Sequence, residues 1–315
     1  MSTTDLTEPA RTPRDPEQPP PRKRLRRIDV AGLGVPRALA FLAPAIVIIA
    51  VFLIFPALWT IYIGSTNFEL TGPNSINPQF VGLGNVTNAL SDPEFRNALV
   101  LTIIFVGGSA VIGQNLLGFL LAWLMRSTPR ALRSVVQGLV LLAWILPSTV
   151  VAFLWFALLD RNSGTLNALL GNHATAWLIQ YPMLSLIFFN TWRGTAFSMM
   201  LYGSALSTVP PTQLEIARLS GARGLRLVSD VVFPHIRGHV LTNTLLITLW
   251  TANDFSPYLL TAGGPNHASE VLPVFIYDQA LNSSQFGYAS AISVLLLLVN
   301  LVIALLYLRL LRRRA

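Results

Sequence analysis

Six apolar stretches, each close to or longer than the ~20 residues a helix needs to cross a bilayer, dominate this chain. They fall at about residues 38–63, 97–125, 134–159, 182–206, 240–260 and 287–308. In hydrocarbon every backbone N–H and C=O must find its partner inside the protein, so an open chain of such segments can only cross as helices. The expected fold class is therefore all-α, a polytopic membrane protein with six transmembrane helices. Hydrophobic residues at 53%, charged residues at 11% and a mean hydropathy of +0.57 agree with that class and not with a soluble one.

The charges set the orientation. With the N-terminus inside, nineteen of the 22 Lys and Arg residues lie on the inner side, only Arg96 and Arg161 lie outside, and Arg193 falls within the fourth stretch. The positive-inside rule then places both termini in the cytoplasm. The net charge of +8 comes largely from basic residues beside the spans, so it marks topology and not a nucleic-acid partner. Residues 1–37 read as a disordered, Pro-rich and basic cytoplasmic tail, whose run at 22–27 is suited to touch anionic membrane lipid. The first apolar stretch is roughly twice the ~7–15 residues of a signal-peptide h-region and has no small-residue cleavage site after it, so no cleaved leader is expected. Residues 38–315 form the membrane domain.

Several chemistries are excluded. The chain has no cysteine, hence no disulfide and no thiolate ligand. It has no Gly-Lys-Ser/Thr, hence no P-loop, and any ATP energy must come from a partner. His235 and His239 are spaced i, i+4 but lack an accompanying Glu and a third ligand, so they read as interfacial and no metal site is expected. No Ser-His-Asp arrangement stands out.

Between the fourth and fifth stretches lies a polar island, LSTVPPTQLEIARLSGARGLRLVSDVVFP, at residues 206–234. Pro210 and Pro211 stop the preceding helix, and Pro211 suits the first position of a new one. Leu214, Ala217 and Leu219 give that helix an apolar face, and Gly221 ends it with an expected positive φ. A second short helix is expected over 222–232, running into Pro234. By itself the island is a well-punctuated helix–turn–helix outside the bilayer, or an ordinary interfacial loop.

Glu215, Ala217, Gly221 and the later Pro234 resemble the cytoplasmic loop of binding-protein-dependent ABC importer permeases, where Glu-Ala-Ala-x-x-x-Gly precedes a Pro. Ile216 and Ser220 depart from the common Ala and Asp. Residues 80–85 (FVGLGN), 160–171 (DRNSGTLNALLG) and 260–265 (LTAGGP) are similar to further signatures of sugar permeases of the maltose/trehalose type, although 80–85 also reads as a plain turn. The resemblance implies a transmembrane permease subunit of an ATP-driven sugar importer in the bacterial inner (plasma) membrane, working by alternating access. It implies a second homologous permease subunit, two ATPase subunits and an extracytoplasmic sugar-binding protein as partners. It implies no enzyme activity or cofactor in this chain, ATP and Mg residing on the ATPases. Loop 207–235 would carry the coupling helix, with Glu215, Ala217 and Gly221 making the ATPase contact.

Polar side chains inside spans are costly and therefore informative. The fourth stretch holds Asn190, Thr191 and Arg193, and the fifth holds Asn243, Thr251, Asn253 and Asp254, with a kink expected at Pro257. Arg193 and Asp254 either pair structurally or take part in transport. The resemblance implies a substrate site of Asn190, Trp192, Gly194, Phe197, Ile247, Trp250 and Thr251, in which aromatic faces pack on sugar C–H groups and amides and hydroxyls orient them. Phe197 lacks the family's phenolic hydroxyl, Ile247 lacks a serine hydroxyl and Thr251 replaces an amide, so maltose is not the default cargo. Trp144, Trp155, Trp177 and Trp192 are all candidates for an interface belt, which is the preferred reading for Trp177. Gly107, Gly108, Gly113 and Gly118 suit close helix packing. An ion-coupled secondary transporter using Asp254 or Arg193 is the alternative, and a membrane-embedded enzyme a further one.

Overall fold

The structure, a computed structural model, describes residues 35–171 and 175–312, so the basic run and nearly all of the 1–37 tail lie outside the described residues. The chain divides into two units, residues 1–55 and 56–315. In the first, helix α1 (Val35–Ile49) leads into a π-type turn (Ala50–Ile54), and every side chain described there is exposed.

The second unit is a helical assembly. Its elements are α2 (Phe55–Gly64), α3 (Pro93–Leu124), α4 (Arg130–Ile145), α5 (Ser148–Leu158), α6 (Pro182–Ser207), α7 (Pro211–Leu219), α8 (Phe233–Ala252), α9 (Ser256–Thr261) and α10 (Phe286–Arg312). Among the described residues the only β pairing is an isolated bridge between Thr66 and Phe80. Among the described residues three helices are long and apolar enough to cross a membrane, Leu39–Gly64, α3 and α10, and the bent pair α4–α5 counts as a fourth if it is one span. Helices α6 and α8 have 26 and 20 residues. They reach about 39 and 30 Å, enough for a hydrocarbon core, but carry more polar side chains than an isolated span tolerates.

Three expectations are corrected. The third stretch is not one helix: α4 and α5 meet at 104°. Leu146, directly before Pro147, is pushed to an extended conformation (ψ 138°), as the residue before a proline is. The separate short helix at 222–232 is absent as such. Gly224 takes φ +54°, helix starts at Leu225, and a π-type turn (Val228–Val232) feeds directly into α8, with the Phe233 N–H donating to the Val228 carbonyl. That widened turn absorbs Pro234, whose missing N–H would leave a gap in a regular ladder. Finally, the kink expected at Pro257 is a full break. Helix α8 ends at Ala252, and α9 restarts where the Ser256 N–H donates to Asp254 Oδ1 at 3.1 Å.

Helix α6 is the centre of the assembly, in contact with α3, α4 and α8. Small residues allow α3 to approach it: Gly108 lies under Ile187, Gly113 under Thr191 and Gly118 against Ser198 and the backbone of Met199. Gly107 faces open space and takes no part. Two apolar layers hold the crossing. One, at the end carrying α7, includes Ala122, Met199, Tyr202, Leu206, Leu214 and Ile236. The other, toward the opposite end, includes Phe105, Val151, Leu186, Phe189, Leu260 and Val274.

The glycine crossing yields a direct test. A Cβ at Gly118 would meet backbone that cannot swing away, whereas one at Gly138 would meet nothing. Gly118→Val is therefore expected to destabilise the protein by about 1–3 kcal/mol through overpacking, and Gly138→Val to leave it unchanged. Thermal unfolding followed by size-exclusion chromatography in detergent would separate them, and equal midpoints would rule out the described α3–α6 contact.

Candidate functional site

Between the two apolar layers, α3, α6 and α8 face one another with amides and hydroxyls. Asn190 is buried, and its Nδ2 donates to Ser109 Oγ at 2.7 Å and to Thr251 Oγ1 at 3.2 Å. Gln114 Nε2 donates to the Asn190 carbonyl at 3.0 Å, and its amide end lies where a Cβ on residue 194 would sit, so any larger residue than Gly194 would have to displace it. Deeper toward α7, Asn115 Oδ1 accepts from Tyr202 Oη, from Asn243 Nδ2 at 2.9 Å and from Thr244 Oγ1 at 3.3 Å. Asn243 Nδ2 also reaches Ser198 Oγ at 3.0 Å. Asn243 Oδ1 and Thr248 Oγ1 are buried without a hydrogen-bond partner among the described residues, a rare condition.

A cavity of about 70 Å³ opens within this polar layer. Of the seven expected substrate residues, Asn190, Gly194, Ile247, Trp250 and Thr251 line it. Phe197 supports its wall instead, with its ring 4.8 Å from Trp250 and 6.0 Å from Trp144. Trp192 is placed elsewhere: it does not line the cavity, is 45% exposed, and pairs with Trp155 at 6.0 Å. Arg193 Nη1 donates to Asp254 Oδ2 and to Ser256 Oγ, both at 2.9 Å, so the two charged residues pair across α6 and the α8–α9 break. Both also line the cavity, together with Gln114 and Trp144. Sequence reasoning missed Gln114, although a polar side chain within a long apolar span was the same signal that marked Asn190. It left Trp144 as a belt candidate, because one tryptophan near a span end does not reveal which way it faces.

The polar island has its own geometry. Gly221 takes φ +88°, its N–H donates to the Arg218 carbonyl at 3.0 Å, and the Ala222 N–H reaches back to Ala217 at 2.9 Å. This pair of bonds is a Schellman motif, which satisfies the last carbonyls of α7 and needs the left-handed residue. Leu214 is buried in the nearby apolar layer and Ala217 packs at its edge. Leu219 does not share that face as expected. It is 89% exposed, Leu225 is 87% exposed, and Ile216 is exposed beside them. Glu215 is exposed and makes no ion pair among the described residues.

The other three signatures build turns. Asn85 Nδ2 donates to the carbonyls of Gly64 and Thr66 at 2.9 and 2.8 Å, tying off the end of α2. Asp160 accepts the Ser163 and Asn162 N–H groups; the Ser163 amide first, then its hydroxyl, holds this carboxyl below the ordinary range. In the loop after α9, Ala262, Gly263 and Gly264 all take positive φ. There the bond to Glu270, at 2.6 Å, raises the pKa of His267.

Residues 114–315 match the family described as Binding-protein-dependent transport system inner membrane component. A probable ABC transporter permease protein of Pyrococcus horikoshii is 30% identical over 286 residues, covering 87% of this chain and 95% of that one. The sulfoquinovosyl glycerol transport system permease protein of Agrobacterium fabrum is 23% identical over 88% of this chain and 91% of its own. Among solved structures, a bacterial alginate ABC transporter bound to its alginate-loaded periplasmic protein superposes with a TM-score of 0.73, at 20% identity over 88% of this chain and 94% of that one. The chain thus belongs to the inner membrane components of binding-protein-dependent transport systems, the permease subunits of ABC importers.

Proposed function

We propose that this permease imports a sugar or sugar derivative delivered by an extracytoplasmic binding protein, and that cargo passes through the cavity beside Asn190. The observation that carries this is the make-up of that cavity. One wall is aromatic, with Trp144 and Trp250 braced by Phe197, and the other presents the amides of Gln114 and Asn190 and the hydroxyl of Thr251. Flat apolar faces suit sugar C–H groups, and paired donors and acceptors suit hydroxyls. Relatives point the same way: their names give sulfoquinovosyl glycerol and sn-glycerol 3-phosphate as transported compounds. At about 70 Å³ the cavity is well below the ~300–1,000 Å³ of ligand sites, so the described state would be a closed one that opens to load cargo.

The chain would work with a second, homologous permease and two ATPase subunits that hold the ATP and Mg. Six crossings with both termini cytoplasmic follow from the charge count and put α7 on the ATPase side. Leu219, Leu225 and Ile216 are large apolar side chains exposed on this loop, which suits a protein partner. Glu215, Ala217 and Gly221 would complete the contact, with Glu215 free to pair with a basic group on the ATPase. Closure of the ATPases around ATP would drive the two coupling helices together. Leu214, packed with Met199, Tyr202 and Ile236, would carry that movement into α6 and α8.

Two experiments test this reading. Single cysteines placed in the cysteine-free chain are expected to be labelled from outside at the exposed Ile76 and from the cytoplasm at Ala222; the reverse pattern would overturn the topology. In proteoliposomes holding the whole importer, Gly221→Asp and Glu215→Lys are expected to insert normally yet to cut cargo-stimulated ATP hydrolysis at least about tenfold. That is the loss of one charge-assisted contact, joined at Gly221 by backbone strain. Full stimulation in both variants at ordinary expression would remove α7 from the coupling path.

A further inference from the structure

We propose that the cleft between the end of α3 and helix α7 holds an anionic phospholipid of the inner leaflet, with its phosphate between Arg126 and Arg218. This rests on the orientation proposed above, which puts α7 on the cytoplasmic side. The cleft has a volume of about 370 Å³, within the ~300–1,000 Å³ of ligand sites. Trp123, Pro211 and Leu214 give it apolar lining, and Arg126, Glu215 and Arg218 give it charged lining.

The two arginines come from different elements and meet without a shared anion. Arg126 lies over the Trp123 ring at 5.3 Å, and partial burial, then the charge of Arg218, lowers its pKa. Neither guanidinium makes a hydrogen bond or ion pair among the described residues, and Glu215, in the same cleft, pairs with neither. The turn at 126–133 adds Arg130 and Arg133 and contains no acidic residue. Arg133 Nη2 donates to the carbonyls of Arg126 and Thr128 at 3.1 and 3.3 Å, which keeps a third positive charge beside the cleft. Guanidinium groups stay charged at physiological pH and present paired N–H donors that match phosphate oxygens. An anion between Arg126 and Arg218 would relieve their repulsion and use those donors.

The membrane side of the cleft decides where that phosphate comes from. Helix α3 is apolar enough to cross the bilayer and ends at Leu124, just before Arg126. Leu116 and Leu120 are exposed and share a helix face with Trp123 by their spacing. They give an acyl chain an apolar track that ends at the cleft, which a free phosphate ion or an acidic side chain of a partner would leave unused. Basic pockets beside spans on the cytoplasmic side suit anionic lipid headgroups.

The test uses the complete importer, purified from bilayers of phosphatidylcholine with a minor share of phosphatidylglycerol, and native mass spectrometry to read the phosphatidylglycerol retained. Arg126→Gln with Arg218→Gln is expected to lower retention at least about tenfold, as for loss of one hydrogen bond to a charged group. Arg126→Lys with Arg218→Lys, which keeps both charges but not the paired donors, is expected to recover part of it. Arg130→Gln with Arg223→Gln removes two exposed arginines outside the cleft and is expected to retain the lipid as the unaltered chain does. Equal loss in both glutamine variants would reduce the effect to diffuse attraction to the membrane and overturn the site. Displacement of the lipid by inorganic phosphate would overturn it in favour of a free ion. Unchanged retention with loss of the ATPase subunits would give the cleft to an acidic side chain of the partner. Any of these results with the expected labelling at Ile76 and Ala222 leaves the topology standing, whereas reversed labelling overturns the topology and the inner-leaflet assignment together.

Discussion

A polar group buried away from water must find its partner inside the protein or cost free energy of the order of a whole hydrogen bond or more. That demand governs the centre of this molecule. Asn190, Gln114 and Asn243 are buried and Asn115 is half-buried, and each makes a hydrogen bond to a side chain or carbonyl on a different helix. Helices α3 and α6 can meet that demand only if their backbones come close, which is the service that Gly113, Gly118 and Gly194 perform. The amides and the glycines depend on each other, and the apolar layers on either side hold both in place. Two unpartnered atoms, Asn243 Oδ1 and Thr248 Oγ1, mark where this satisfaction is incomplete.

The same layer explains why the molecule suits an importer better than an ion-coupled carrier. A carboxylate that picks up and releases a coupling ion needs freedom to do so, but Asp254 is held at both oxygens by Arg193 and Ser256. Membership among binding-protein-dependent permeases decides in the same direction. The polar island is rigid where it needs to be, closed by the Schellman motif at Gly221, and joined to the bundle through Leu214. Its exposed leucines, Leu219 and Leu225, have no role in the chain's own core.

Much of this was legible in the sequence because length and apolarity are local quantities. The ends of α3, α6 and α10 fall within a few residues of the stretches read from hydropathy alone. The misses came from backbone chemistry inside apolar runs: Pro147 turns one expected span through 104°, and Asn253–Phe255 breaks another, while hydropathy is blind to both. Five of the seven expected substrate residues gather at one cavity, since the polar ones could not face lipid and their neighbours on the same helix faces came with them. Trp192 was misplaced because its position next to Asn190 and Arg193 in sequence puts it on a different face of the helix, beside Trp155. Leu219 was read as part of a buried stripe, and only tertiary packing shows that the stripe stops at Ala217.

The central claim is that cargo is held in the polar layer between the aromatic wall and Asn190. It is tested most directly by the structure of the complete importer, trapped with ATP on hydrolysis-deficient ATPase subunits and with its loaded binding protein docked. Sugar density is expected against Trp250 and Trp144, within hydrogen-bonding distance of Asn190 and Thr251. Density lodged instead between Trp155 and Trp192, with the Asn190 layer still closed, would contradict the account.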